Sequence, residues 1–234
     1  MSTRIVRQND VMPTHPRPDI KIILSVALLP ILAVNLCFQL ATTANLIPDC
    51  FVYVDGCTSI SATGRYGTSY WVFKAMMLPQ CVLLVLFWRA LARYFADSGM
   101  RWIVNLTYVA SAFLVIYVLA LGSEGDIYRL MRRYGVFVFF LGTFIAQIAV
   151  TKRYARRFLP SAVFRLQVAL LSIMLLFAIA EVPLGTFGLE DDRAENIIEW
   201  NFSLLMQCWF ATWVGTLAVR NAVLPDQSEA GTTS

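Results

Sequence analysis

Six apolar blocks dominate this chain, over residues 22–43, 70–93, 101–121, 134–151, 163–186 and 196–219. A run of about 20 mostly apolar residues, rising 1.5 Å each along a helix, matches the roughly 30 Å hydrocarbon layer of a bilayer. One such block could be a buried helix of a soluble protein; six in succession point to an all-α polytopic membrane protein. The expected architecture is a single domain over 21–221, a bundle of six transmembrane helices, flanked by polar segments 1–20 and 222–234. Those flanks lack hydrophobic periodicity and read as disordered. Composition agrees: with 58% hydrophobic and 15% charged residues and a mean hydropathy of +0.63, a soluble fold of 234 residues would run short of polar surface.

Charge orients the bundle. Lys and Arg collect in cytoplasmic loops. With the N-terminus inside, that side receives thirteen basic residues (Arg4, Arg7, Arg17, Lys21, Arg89, Arg93, Arg101, Lys152, Arg153, Arg156, Arg157, Arg165 and Arg220) and the other side six. Both termini are therefore expected in the cytoplasm. The exception is Arg129, Arg132 and Arg133, a basic cluster in a loop assigned outside. The densest basic run, Lys152-Arg153-Tyr154-Ala155-Arg156-Arg157, reads first as a topology determinant and second as a contact for anionic headgroups of the inner leaflet. The net charge of +4 then needs no nucleic acid. The polar stretch carrying Pro13, Pro16 and Pro18 ahead of the first block marks that block as a retained signal anchor rather than a cleaved leader.

Short loops between blocks two and five predict antiparallel neighbours. The one long connection, residues 44–69, lies outside; a second outer loop, 187–196, carries Glu190, Asp191 and Asp192. No internal repeat suggests the inverted halves of a transporter. Cys37, Cys81 and Cys208 fall within blocks and read as small apolar fillers. Cys50 and Cys57 share the outer loop on the oxidising side, which makes a disulfide between them plausible. No metal site is expected there, for want of a histidine or a third cysteine. Two N-x-S/T sequons, at Asn105 and Asn201, lie inside blocks and are discounted.

Ionisable residues inside a membrane are expensive and mark functional sites by default. Lys74 lies one turn into block two, Glu181 near the outer end of block five, and Glu199 opens block six ahead of Trp200 and Asn201. All stand near the outer interface, where snorkelling or capping would also account for them. The sharper expectation is that Lys74, Glu181, Glu199, Asn201 and the loop hydroxyls Ser59 and Ser61 converge on an outward-facing polar pocket for a phospholipid or glycolipid headgroup. The amides Asn35, Gln80, Asn105, Gln147, Gln167, Asn201 and Gln207 are expected mostly to hydrogen-bond between helices. Soluble-enzyme motifs are absent: no glycine-rich phosphate loop, no G-x-S-x-G elbow, no Cys-x-x-Cys. No cofactor is expected. The sole histidine, His15, sits in the N-terminal segment, which excludes a zinc-dependent membrane hydrolase and a histidine general base.

The run Ser59-Ile60-Ser61-Ala62-Thr63-Gly64, with Phe73 nine residues after the glycine, resembles the signature of the Frag–DRAM–Sfk family of six-helix membrane proteins. Glu199-Trp200 at the start of block six and Gly122-Ser123-Glu124-Gly125-Asp126 between blocks three and four fit the same pattern, nearest the branch of GPI-anchor remodelling factors. The resemblance implies lipid work: fatty-acid remodelling of GPI anchors in the Golgi or another endomembrane, or, in other branches, control of autophagy or membrane asymmetry. The chain departs from the pattern in places. Thr68-Ser69 replaces a Pro-Glu or Pro-Gln pair, and Arg132–Arg133 and Cys208–Trp209 stand near positions where the family has histidines. Three functions follow, in order: a lipid-remodelling factor that could catalyse acyl transfer, a non-enzymatic lipid-binding regulator or scaffold, and a small transporter. The last is disfavoured because no ionisable residue lies at mid-depth.

Overall fold

The computed structural model describes residues 18–155, 161–186 and 192–223, with side chains over 18–153, 162–180 and 192–214. The expectations for 1–17, for the acidic run through Asp191 and for the tail from 224 lie outside the described residues. Helices α1 (Ile20–Thr43), α4 (Gly67–Phe95), α5 (Met100–Ala120), α6 (Asp126–Val150), α7 (Ser161–Thr186) and α8 (Asp192–Val223) contain the six apolar blocks to within one residue. The one-turn helices α2 (Val52–Asp55) and α3 (Ile60–Thr63) lie in the long first connection. Five stretches are long and apolar enough to cross a membrane: Ile20–Thr43, Gly67–Phe95, Met100–Ala120, Asp126–Arg153 and Ala162–Ala180.

Polar residues carry the helices past the apolar blocks. Asp19 caps α1, its carboxylate accepting from Lys21 N at 2.9 Å, so residues 18–20 belong to the start of a helix rather than to a disordered flank. The largest extension is in α6, which begins at Asp126, eight residues ahead of its apolar block. The basic cluster Arg129, Arg132 and Arg133 therefore occupies the first two turns of a helix rather than a loop. At the other end α6 runs into a π-helical turn over Thr151–Ala155.

α1 packs on α4, α4 on α5, α5 on α6, and α8 lies between α1 and α7. The α5–α6 seam depends on small residues: a Cβ on Gly135 would lie 2.8 Å from Tyr117 Cβ, and one on Gly142 3.0 Å from Ala110 Cβ. Such gaps let helix backbones approach closely, a recurrent device in bilayers. The opposite face of the bundle is aliphatic: Leu24, Leu28, Leu32 and Leu36, spaced four apart on α1, are 39–59% exposed. α8 has another character. Trp200, Met206, Trp209, Phe210 and Trp213 are at most 2% exposed, and Trp88 of α4 stacks on Trp209 with ring centroids 6.0 Å apart.

Buried amides tie the helices together. Gln80 Nε2 donates to Val26 O and Gln147 Nε2 to Met206 O, each at 3.1 Å. Thr151 Oγ1 donates to Gln167 Oε1 at 3.1 Å and accepts from Trp209 Nε1 at 2.9 Å, while Gln167 Nε2 donates to Thr212 Oγ1 at 2.7 Å. Asn35 and Asn201 bond to the connecting segment instead, through Tyr53. Asn105 departs from the expected role: it is exposed on α5, in a space it shares with Arg89, Arg93 and Arg101.

Candidate functional site

The connection between α1 and α4 is clamped onto the first turns of α8. The structure carries the Cys50–Cys57 disulfide, Cα atoms 6.4 Å apart, across α2. Gly56 follows α2 with φ +58°, and a Cβ there would lie 2.2 Å from Arg193 O on α8, so both the backbone angle and the space call for glycine. Four bonds then join the two segments. Asn196 Nδ2 donates to Gly56 O at 2.9 Å, Trp200 Nε1 to Thr58 O at 2.9 Å, and Asn201 Nδ2 to Tyr53 O at 2.8 Å. In return Ile60 N donates to Glu199 Oε2 at 3.2 Å. Phe38 and Tyr53 meet the Trp200 ring edge-on, at 6.2 and 5.4 Å between centroids.

This clamp sets the position of α3. Ser59 caps it, Oγ accepting from Ala62 N at 3.2 Å. Gly64 closes it against Phe73, whose ring atoms would lie 2.7 Å from a Cβ at that position. The result aims Ser61 and Arg65 at the first turns of α6. Ser61 Oγ lies 3.1 Å from Ser59 Oγ and accepts from Arg65 Nη2 at 3.3 Å. Facing them are Arg129, Arg132 and Arg133, which share a helix face at spacings of three and four residues. Arg132 is fixed by donating to Ala120 O at 3.2 Å and Ser123 O at 2.6 Å, a cation at the C-terminal end of α5. Arg129 pairs with Asp126 at 2.8 Å.

Between these elements lies a cavity of ≈380 Å³, lined by Ser61, Arg65, Tyr117, Arg129, Arg132, Arg133, Val136 and Glu199. Its chemistry is that of an anion site: guanidinium forks match phosphate and carboxylate oxygens two at a time. Arg65 Nε is buried there with no hydrogen-bond partner among the described residues. A second, more enclosed space of ≈30 Å³ continues inward, sharing Tyr117, Val136 and Glu199 with the first and lined otherwise mostly by apolar side chains such as Phe73, Met77, Leu114 and Phe139. Tyr117 Oη, Gln80 Oε1 and Gln207 Oε1, from three of its lining residues, are buried without partners among the described residues. Gln207 thus departs from the expected interhelical bonding at that atom.

The six residues expected to converge divide. Ser61 and Glu199 line the arginine cavity, and Ser59 supports Ser61 from behind. Lys74 lies apart. Its ammonium donates to Tyr70 Oη and Leu119 O, with the Tyr70 ring centroid 4.1 Å away. A cation two turns into an apolar helix here satisfies itself on a neighbouring aromatic rather than pointing into the bundle. Asn201 spends its amide on Tyr53 O and Ile197 O and lines neither cavity. Glu181 belongs to α7, and its side chain lies outside the described residues. Sequence reasoning missed Arg65, Tyr117 and the three arginines of α6 as site residues. A signal was present: three arginines at helical spacing in a segment that the sequence reading assigns to the side poor in basic residues. No family model, curated protein or solved structure matches the chain.

Proposed function

We propose that this chain is a six-span membrane protein with both ends cytoplasmic, and that it binds the anionic headgroup of a lipid from the outer or lumenal leaflet. The observation that carries the reading is the cavity where Arg65 meets Arg129, Arg132 and Arg133, at the end of the bundle from which the less polar cavity leads inward. On the proposed orientation this is the side poor in basic residues. Arginines placed against the charge rule, and converging, are better explained by a ligand than by topology. α8 supplies the sixth span: its 32 residues reach about 48 Å, and its less aliphatic composition suits a helix packed on protein rather than on lipid.

Binding, rather than catalysis, accounts best for the hydroxyls. Ser61 bonds Ser59 and Arg65, and no imidazole stands among the described residues to take its proton. A regulator or scaffold that holds a lipid needs no such base. The test is to purify the full chain from membranes and identify the lipids that accompany it. Anionic lipids enriched over the bulk membrane, and that enrichment lost in Arg65→Gln/Arg132→Gln, are the expected result. A lipid profile equal to the bulk membrane would overturn the proposal.

A second reading has its own observation. The two segments that resemble the Frag–DRAM–Sfk signature, 139 residues apart, meet through the Ile60–Glu199 bond. This supports a lipid-remodelling role of the GPI-anchor type, in the Golgi or another endomembrane. Expression in cells lacking their own remodelling factor, followed by analysis of GPI lipid species, tests it; absence of rescue by the wild-type chain counts against it.

A further inference from the structure

We infer that the arginine cavity is built for a group carrying two negative charges, a phosphate monoester, in preference to a singly charged phosphodiester. The inference rests on the anion-binding reading above and adds the charge and substitution of the phosphate. The charges come first. Four guanidinium groups line the cavity, Glu199 lines it too, and Asp126 engages Arg129 at 2.8 Å. Among the described residues, four positive charges against these two carboxylates leave two unbalanced. Among the described residues no carboxylate stands in ion-pair range of Arg65, Arg132 or Arg133. A diester would neutralise only one of the two, and a half-buried charge left without a counterion is costly.

The donors point the same way. Arg65 Nε is buried and has no acceptor among the described residues. Arg132 is held in place by two backbone carbonyls through one nitrogen, Nη1. That leaves its other guanidinium nitrogens, those of Arg133 and the Ser61 hydroxyl around one space of ≈380 Å³. A monoester presents three terminal oxygens to such a set, and a diester two. Guanidinium forks bind those oxygens in pairs, which gives the third oxygen its worth. The same chemistry could arrive on a lipid, as in phosphatidic acid, or as free phosphate.

The experiment uses the full chain in phosphatidylcholine nanodiscs, titrated with phosphatidic acid, phosphatidylglycerol or inorganic phosphate, with binding read by native mass spectrometry. Phosphatidic acid is expected to bind at least about tenfold more tightly than phosphatidylglycerol, the worth of one charge-assisted hydrogen bond. Arg133→Gln, an exposed position at which folding is undisturbed, should cut that preference below about threefold, and Arg133→Lys should keep part of it. Equal affinity for the two lipids, or a preference untouched in both Arg133→Gln and Arg65→Gln, overturns the inference while leaving an anion site. No binding of either lipid above phosphatidylcholine overturns the anion reading as well. If inorganic phosphate displaces phosphatidic acid at comparable concentration, the monoester chemistry stands and the ligand is soluble; if it does not, the ligand is the lipid.

Discussion

Removing the Cys50–Cys57 bond tests how firmly the first connection holds the site. The bond closes a ring with a sequence separation of 7. For a ring of that size the chain-entropy relation gives about 2.5 kcal/mol of stabilisation at 25 °C. Against this stand the four bonds from α8 to Gly56, Thr58, Tyr53 and Ile60, worth about 0.5–1.5 kcal/mol each. The connection should therefore stay docked in Cys50→Ser/Cys57→Ser but open more often. An opening free energy lowered by about 2.5 kcal/mol multiplies the open population by roughly 70. Hydrogen exchange, read on the amides of residues 52–60 against those of α5 in the same sample, measures this directly. Protection over 52–60 should fall by between one and two decades, with α5 unchanged. A fall of less than about threefold would refute the reasoning, because it would mean that α8 alone holds the connection. A parallel fall in α5 would refute it too, because the crosslink would then stabilise the whole bundle rather than its mouth.

Other perturbations address the rest of the site and its frame. Gly135→Leu should destabilise the bundle by about 1–3 kcal/mol in a thermal or denaturant melt, since its Cβ alone would crowd Tyr117 Cβ at 2.8 Å, and it should weaken anionic-lipid binding by moving the arginine face of α6. Glu199→Gln should tighten the binding of anionic lipid, because it removes a negative charge from the cavity wall while an amide oxygen can still accept from Ile60 N; weaker binding in a titration would contradict the assigned charge balance. Thr151→Val is nearly isosteric, yet it orphans Trp209 Nε1 and Gln167 Oε1. It should cost about 1–3 kcal/mol, seen as a lowered midpoint by tryptophan fluorescence.

The frame of this protein was legible because lipid imposes a length and a polarity on each span. The apolar blocks located the long helices to within a few residues, except where polar side chains prolonged them. α6 is the instructive case. Asp126–Arg133 has the composition of a loop, but Gly125 and Asp126 start a helix there, and its arginines line the cavity, Arg129 and Arg133 at its exposed rim. The pairing of the α3 segment with Glu199 was legible only as proximity to a common interface. The bond between Ile60 N and Glu199 depends on the backbone of a one-turn helix, which no side-chain pattern encodes. Lys74 was misread for a related reason. Sequence shows that a cation must be accommodated, but not whether a neighbouring tyrosine will do it.

The two elements that fit the hydropathy and charge rules least are α8 and the first turns of α6, and both contribute charged groups to the cavity. Both rules describe segments that face lipid and loops that choose a side. Segments that face protein are released from them. α8 carries Glu199, Asn201 and Gln207 along with three tryptophans that are at most 2% exposed, a composition that would be costly beside acyl chains and is stable between α1 and α7. The first turns of α6 carry three arginines that, on the proposed orientation, break the charge rule, and their common face is turned to Arg65 and Glu199. Four guanidinium groups in one cavity repel one another unless a counterion is part of the design. In a polytopic chain, then, the segment that breaks the topology rule with like charges at helical spacing is where a ligand of opposite charge should be sought first.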